Sequence, residues 1–147
     1  MNWSPLPFGK YKGQTLPQVI CSDPSWFLWA IRKGVFKYQH ASEGDVLYRR
    51  TKAIKIPKRH PEKFALEHRY DGDGRYEGFY IVQKAELPYS KYNVRSPHLD
   101  ITEVNARHQR EWHNFIRDFR KHYFGGKYIT EIRCDQFFRD DSNFLDP

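Results

Sequence analysis

At 147 residues the chain is sized for one domain, or one domain with an added helical or β layer, and is long enough to bury a sizeable core. Aromatics make up 17% of it while methionine occurs once, so Trp, Tyr and Phe must do much of the packing. Net charge is +7, no apolar run approaches the roughly 18 residues that span a bilayer, and the N-terminus lacks a signal-peptide pattern, so a soluble cytoplasmic protein is expected.

Taken in order, the chain begins with two glycines, Gly9 and Gly13, four residues apart with an aromatic close to each and lysines between. Glycine takes positive φ angles that Lys10, Tyr11 and Lys12 would resist, so a short hairpin or tight loop is expected, with both lysines at its tip. Residues 15–20 read as a short turn of helix. Thr15 or Gln14 stands near its start, and Pro17 falls in its first turn, where a missing N–H costs little. Asp23-Pro24 starts a second helix, Asp23 capping free amides and Pro24 at the first helical position; it runs to about Lys33, where Gly34 stops it. Trp26, Phe27, Ala30 and Ile31 form its buried face, with Trp29 to the side.

Phe8-Gly9-Lys10-Tyr11-Lys12-Gly13, Leu16, and then Asp23-Pro24 with Trp26, Leu28 and Trp29, together resemble the small module at the C-terminus of exonuclease X-like proteins. The segment from Trp29 to Phe36 is similar to one in a family of short bacterial proteins described as quorum-sensing-regulated virulence factors, with Ile31 and Val35 interrupting the pattern. The resemblance covers residues 5–56. It implies a supporting role in handling nucleic acid, in a bacterial or phage protein. No Asp-x-Glu start on a strand accompanies it, and no later acidic motifs follow in order, so no catalytic role is carried across.

The charge is concentrated. From Arg49 to Lys63 seven basic residues stand against Glu62 alone, a net +6 of the total +7. Such a stripe is the footprint expected for phosphate backbones, with binding that falls steeply with salt; a solvated face is the plainer reading of any such run. Lys10, Lys12, Arg49, Arg50, Lys52, Lys55, Lys58 and Arg59 are the candidate phosphate contacts, with DNA favoured over RNA. Trp3 and Tyr11 are the candidates for stacking.

Residues 42–53, opening with Ser42-Glu43-Gly44-Asp45, are expected to form a third helix; a strand in which Ile54 and Ile56 alternate with Lys55 is the alternative. Pro57 and Pro61 mark a break, dividing a module of residues 1–56 from residues 57–147.

Beyond it the period changes to two. Phe64, Leu66, His68 and Tyr70 alternate with Ala65, Glu67 and Arg69, Asp71-Gly72-Asp73-Gly74 follows, and looser alternation runs from Tyr76 to Lys84, which together predict a β-hairpin. Asp71 and Asp73 suggest a calcium loop, but Arg75 holds the next ligand position and Val82 the twelfth, so a turn is expected. Glu67, Asp73, Glu77 and Lys84 suggest a restriction-type nuclease, but Val82 stands where a metal-binding acid is needed; no catalytic residue, metal or cofactor is assigned.

Residues 86–100 read as an irregular connection with room for one short strand. Tyr89 and Tyr92, if exposed, could stack on unpaired bases at about 1–3 kcal/mol per base, although packing under a loop is the commoner use. The longest helix is expected from Asp100 or Thr102 to about Phe124, stopped by Gly125-Gly126, burying Val104, Trp112, Phe115, Ile116, Phe119 and Tyr123. Its other face carries Arg107, Arg110, Arg117, Arg120 and Lys121 interleaved with Glu103, Glu111 and Asp118, which reads as a salt-bridged solvent face. His108, His113 and His122 lack zinc or nuclease spacing and read as structural or exposed. Cys21 and Cys134 read as reduced and buried.

Residues 135–147 are acidic with interspersed phenylalanines. Docking of Phe137 and Phe138 on the core, disorder in the last few residues and a partner-binding tail are the readings in play. The expectation as a whole is an α+β protein: a small N-terminal loop-and-helix module, a central antiparallel hairpin or small sheet, and a long packing helix. Non-catalytic nucleic-acid binding is the expected function. An adaptor or inhibitor meeting an acidic protein surface is the alternative, and a metal-dependent nuclease the third reading.

Overall fold

Thr15 closes the glycine loop and opens the first helix. Its hydroxyl accepts the Gln18 N–H at 3.4 Å, and Gln18 Oε1 accepts the Thr15 N–H at 3.2 Å, so each residue satisfies an amide the helix leaves free. The computed structural model describes residues 2–126 and 128–145, and places α1 at Leu16–Ser22 behind this cap. Asp23 then caps α2 (Pro24–Lys33) by accepting the Trp26 N–H at 3.3 Å, and Gly34 ends it at φ 66°. Phe27 and Ala30 are fully buried, Trp26 and Ile31 pack beside them, and Trp29 is partly exposed.

Helix α3 spans Gln39–Thr51, starting three residues ahead of the expected Ser42. The residues that suggested a start lie inside the helix, Glu43 and Gly44 on its packed face and Ser42 and Asp45 exposed. Glu43 is buried and accepts the Ser4 N–H at 3.0 Å, and Gly44 faces Ile31 and Phe36, where an added Cβ would come within 3.1 and 3.3 Å of them. After Thr51, Ile54 makes antiparallel bridges to Leu99 and Phe144.

The hairpin forms as read. Strands β1 (Phe64–Tyr70) and β2 (Tyr76–Gln83) pair antiparallel, and β3 (Val94–Ser96) adds to the other side of β1, giving the order β2-β1-β3. Asp71 Oδ1 accepts the N–H groups of Asp73 and Arg75, each at 2.9 Å, so this acid builds the turn. Leu66, Tyr76 and Phe79 enter the core, while Ala65, Glu67, Arg69, Tyr80 and Arg95 share the other face by register.

Helix α4 is shorter than expected, covering Gln109–Tyr123. Asp100 instead caps a single 3-10 turn at Ile101–Glu103, accepting the Thr102 N–H at 2.8 Å, and Val104 then extends (ψ 112°). Glu111 Oε2 accepts the N–H groups of Arg107 and His108, which fixes the helix start seven residues later than Thr102 would. Gly125 and Gly126 stop the helix at φ 65° and 74°.

A fifth helix, α5 (Glu131–Arg139), replaces the first part of the expected tail. Thr130 accepts the Arg133 N–H at 3.2 Å, and Cys134, Phe137 and Phe138 recur at three and four residues on the buried side. Phe137 and Phe138 dock as expected. Phe144 is buried too and Leu145 N–H bonds to Ala53 O at 2.8 Å, which corrects the reading of disorder there; Asp146 and Pro147 lie outside the described residues. The core runs across Pro57: Trp3 Nε1 donates to Asp135 O at 3.1 Å, and Thr15 and Gln18 donate to the Asp135 carboxylate at 2.5 and 3.1 Å. The described residues thus form an α+β fold of five α-helices and a three-stranded antiparallel sheet. Among them, no helix is long and apolar enough to cross a membrane.

Candidate functional site

Arg49 and Arg50 occupy the last turn of α3, where free carbonyls favour a cation. They point to different fates. Arg49 is exposed, whereas Arg50 pairs with Asp141, donates to Phe138 O at 2.5 Å, and lies 4.9 Å over the Phe144 ring. Arg50 is therefore a clasp between α3 and the C-terminal segment and is not a free phosphate contact. Lys52, Lys55, Lys58, Arg59 and Lys63 are exposed and form no ion pair among the described residues. Glu62, the one acid in the run, lies 3.6 Å from a ring nitrogen of His60. Lys52 and Lys58 each lie 5.4 Å from an aromatic centroid, Tyr48 and Phe64 respectively. The run keeps a free positive charge, reduced by the Arg50 clasp.

The glycine loop presents Lys10 and Lys12 to solvent, with Gly9 and Gly13 at φ 82° and 89°. Lys10 lies 3.8 Å from Asp23, and the Tyr11 hydroxyl donates to the same carboxylate. Tyr11 also packs edge-on against Trp26 at 5.1 Å, and burial together with Asp23 pushes its hydroxyl up to about 12. Its ring is part of the loop's anchor. Trp3 is 8% exposed with its indole N–H bonded, so it belongs to the core and cannot stack on a base; this corrects the expectation.

Sequence reasoning read α4 as a salt-bridged face because acids interleave with its arginines. The structure turns Glu111 and Asp118 inward, although Asp118 still pairs with Arg117 at 2.9 Å and Glu103 stays exposed. Glu111 Oε1 accepts the Tyr76 N–H at 2.9 Å and Asp118 Oδ2 accepts the Phe79 N–H at 3.0 Å, while Asn114 and Arg117 donate to the carbonyls of Tyr76 and Glu77. Four side chains of one helix thus satisfy the open edge of β2, which has no strand beyond it. Burial alone would raise Glu111, but three backbone N–H groups outweigh it and hold the carboxyl below its usual range. The outer face then shows Arg110, His113, Arg117 and Lys121, at three- and four-residue spacing, with no acid among them. Burial holds His122 below its usual range, with the positive charges of Lys121 and Lys58 adding to it and Asp118 opposing it. This stripe was missed because the direction of Glu111 and Asp118 depends on β2.

On the outer sheet face Glu67 is buried, with Arg69 and Arg95 each 3.0 Å from its carboxylate. An acid so compensated offers no metal-binding charge, and Asp73 lies in the turn. Among the described residues no group of three or more His, Cys, Asp or Glu side chains could hold a metal ion. Tyr89 and Tyr92 are exposed, at 87% and 48%. No family model matches the chain, and no curated protein and no solved structure matches it.

Proposed function

We propose that the protein is a non-catalytic nucleic-acid-binding accessory protein of the cytoplasm, gripping the phosphate backbone through Arg49, Lys52, Lys55, Lys58 and Arg59, with Lys10 and Lys12 as a second basic point. The observation that carries this reading is that these run residues are exposed and have no carboxylate within ion-pair distance among the described residues. Exposed, unpaired cations attract condensed-counterion surfaces far more than a salt-bridged face does. The resemblance of residues 5–56 to a module accompanying a nuclease domain supports the same reading. Arg50, already clasped to Asp141, is left out of the contact set.

Fluorescence anisotropy with labelled oligonucleotides across a salt series tests it. Wild-type protein should bind with an affinity falling steeply as salt rises, and an Arg49/Lys52/Lys55/Arg59→Glu variant should lose both affinity and slope. Absence of binding at low salt would overturn the reading and turn attention to an acidic protein partner, sought by pull-down with wild type and variant.

A further inference from the structure

A surface cavity of about 500 Å³ opens where the outer sheet face meets α4, and Arg69, Asp71, Glu77, Tyr80, Tyr89 and Arg117 are among its walls. Tyr92 lines it as well, so three tyrosines that are 40%, 87% and 48% exposed converge on one space. The Arg69 guanidinium lies 3.6 Å over the Tyr80 ring and 5.9 Å from the Tyr89 ring, with buried Glu67 fixing its position. Contact stacking is complete on the Tyr80 side and open on the Tyr89 side. The volume lies in the range of small-molecule sites, and would hold a flat heterocycle.

The charges say which part of a nucleic acid fits. Arg69 and Arg95 share Glu67, each at 3.0 Å, Arg117 pairs with Asp118 at 2.9 Å, and the cavity adds two carboxylates, Asp71 and Glu77, so acids outnumber arginines around it. A phosphate gains nothing in such a net-acidic space. A base does: aromatic and guanidinium planes stack on its faces, while carboxylates accept from its amino groups and guanidinium N–H groups meet its carbonyls. The unneutralised charge lies just outside, on α4, where Arg110 and Lys121 form no ion pair among the described residues. Arg117, paired with Asp118, lines the cavity beside that stripe.

We propose that this cavity takes an unpaired base of a single-stranded nucleic acid whose backbone runs along the cationic outer face of α4, past Arg110 and Lys121. The proposal rests on the nucleic-acid reading above and narrows it to strands with free bases. A duplex keeps its bases stacked and cannot supply one without unpairing.

The test measures binding of one fluorescein-labelled 20-mer as a single strand and as a duplex, with DNA and RNA arms, at fixed salt. Wild type should prefer the single strand. Tyr89→Ala/Tyr92→Ala should weaken single-strand binding about tenfold or more while leaving the salt slope in place, and Tyr89→Phe/Tyr92→Phe should restore it, because the ring face is what stacks. Arg110→Glu/Lys121→Glu should instead reduce the slope. A 2-aminopurine in the strand should change emission with wild type and not with the alanine variant. Equal binding of both strand forms, unaffected by the tyrosine changes, overturns the cavity proposal and leaves the general reading standing; no binding of either form overturns both. Both tyrosines are exposed, so the variants keep the fold, and a matching melting temperature verifies it.

Discussion

Asp118 in α4 accepts the backbone N–H of Phe79 in β2 at 3.0 Å, with its carboxylate standing directly over Gly78. Gly78 holds φ 126°, and a Cβ added there would come within 2.0 Å of Asp118 Oδ2 and 2.7 Å of Arg117 Nη2. Gly78→Ala combines backbone strain with displacement of a bonded carboxylate, and should cost about 3 kcal/mol or more. Urea denaturation monitored by tryptophan fluorescence measures this; a change under half that size contradicts the close approach of α4 to β2.

Glu67 is 1% exposed between two arginines that are themselves mostly covered. Removing the shared acid leaves both guanidiniums facing a buried neutral group. Glu67→Gln should lower stability by about 2–3 kcal/mol, toward the lower end for a broken buried pair because the arginines keep some solvent. The same denaturation series reads it, and an unchanged midpoint tells against the pairing.

His68 is 1% exposed, with Nδ1 2.9 Å from the Tyr76 hydroxyl and no bonding partner at Nε2. Burial pushes it down to about 4, although the negative charge of Asp100 opposes the shift. Between that value and the ordinary one near 6.5, the unfolded chain takes a proton that the folded chain refuses. Stability therefore falls as pH drops from about 6.5 to 4, by about 3 kcal/mol from this group. Glu111, held below its usual range, adds a further loss at lower pH. Melting temperature against pH should decline across that window, and His68→Gln should flatten the upper part of the decline.

Cys21 and Cys134, far apart in sequence, bring their thiols together in the core, 5% and 3% exposed. Burial pushes the Cys21 thiol up, and the neighbouring Cys134 and Asp135 add to it. Both thiols are buried away from reagent, so both should resist alkylation by iodoacetamide at pH 8 in the native state and react in denaturant. Rapid native labelling, read by mass spectrometry, contradicts this packing.

Arg50 and Lys55 belong to one run of sequence but do different work. Arg50→Ala, breaking contacts to Phe138, Asp141 and Phe144, should lower stability by about 1–3 kcal/mol, whereas Lys55→Ala should stay within about 0.5 kcal/mol. In salt-series binding the order reverses, with Lys55→Ala the change that reduces the slope. Equal stability effects at the two positions tell against the clasp.

Local features were determined by the sequence itself: the Thr15 and Asp23 caps, the glycine stops at Gly34 and Gly125, the hairpin around Asp71 and the α+β class all rest on bonds made within a few residues. The structure keeps each of them. Only tertiary structure decided which side chains remain available for function. Glu111 looks like a partner for neighbouring arginines until β2, 35 residues away along the chain, offers it a bare amide, and Asp118, paired with Arg117, also takes an amide of β2 39 residues away. Trp3 looks free until α5 arrives with the Asp135 carbonyl, and Arg50 looks like its basic neighbours until Asp141 lies beside it. A residue's type is local, but its exposure and its partner are properties of segments that meet only when the chain has folded, because burial makes an unpaired polar group costly and any distant donor or acceptor that satisfies it wins.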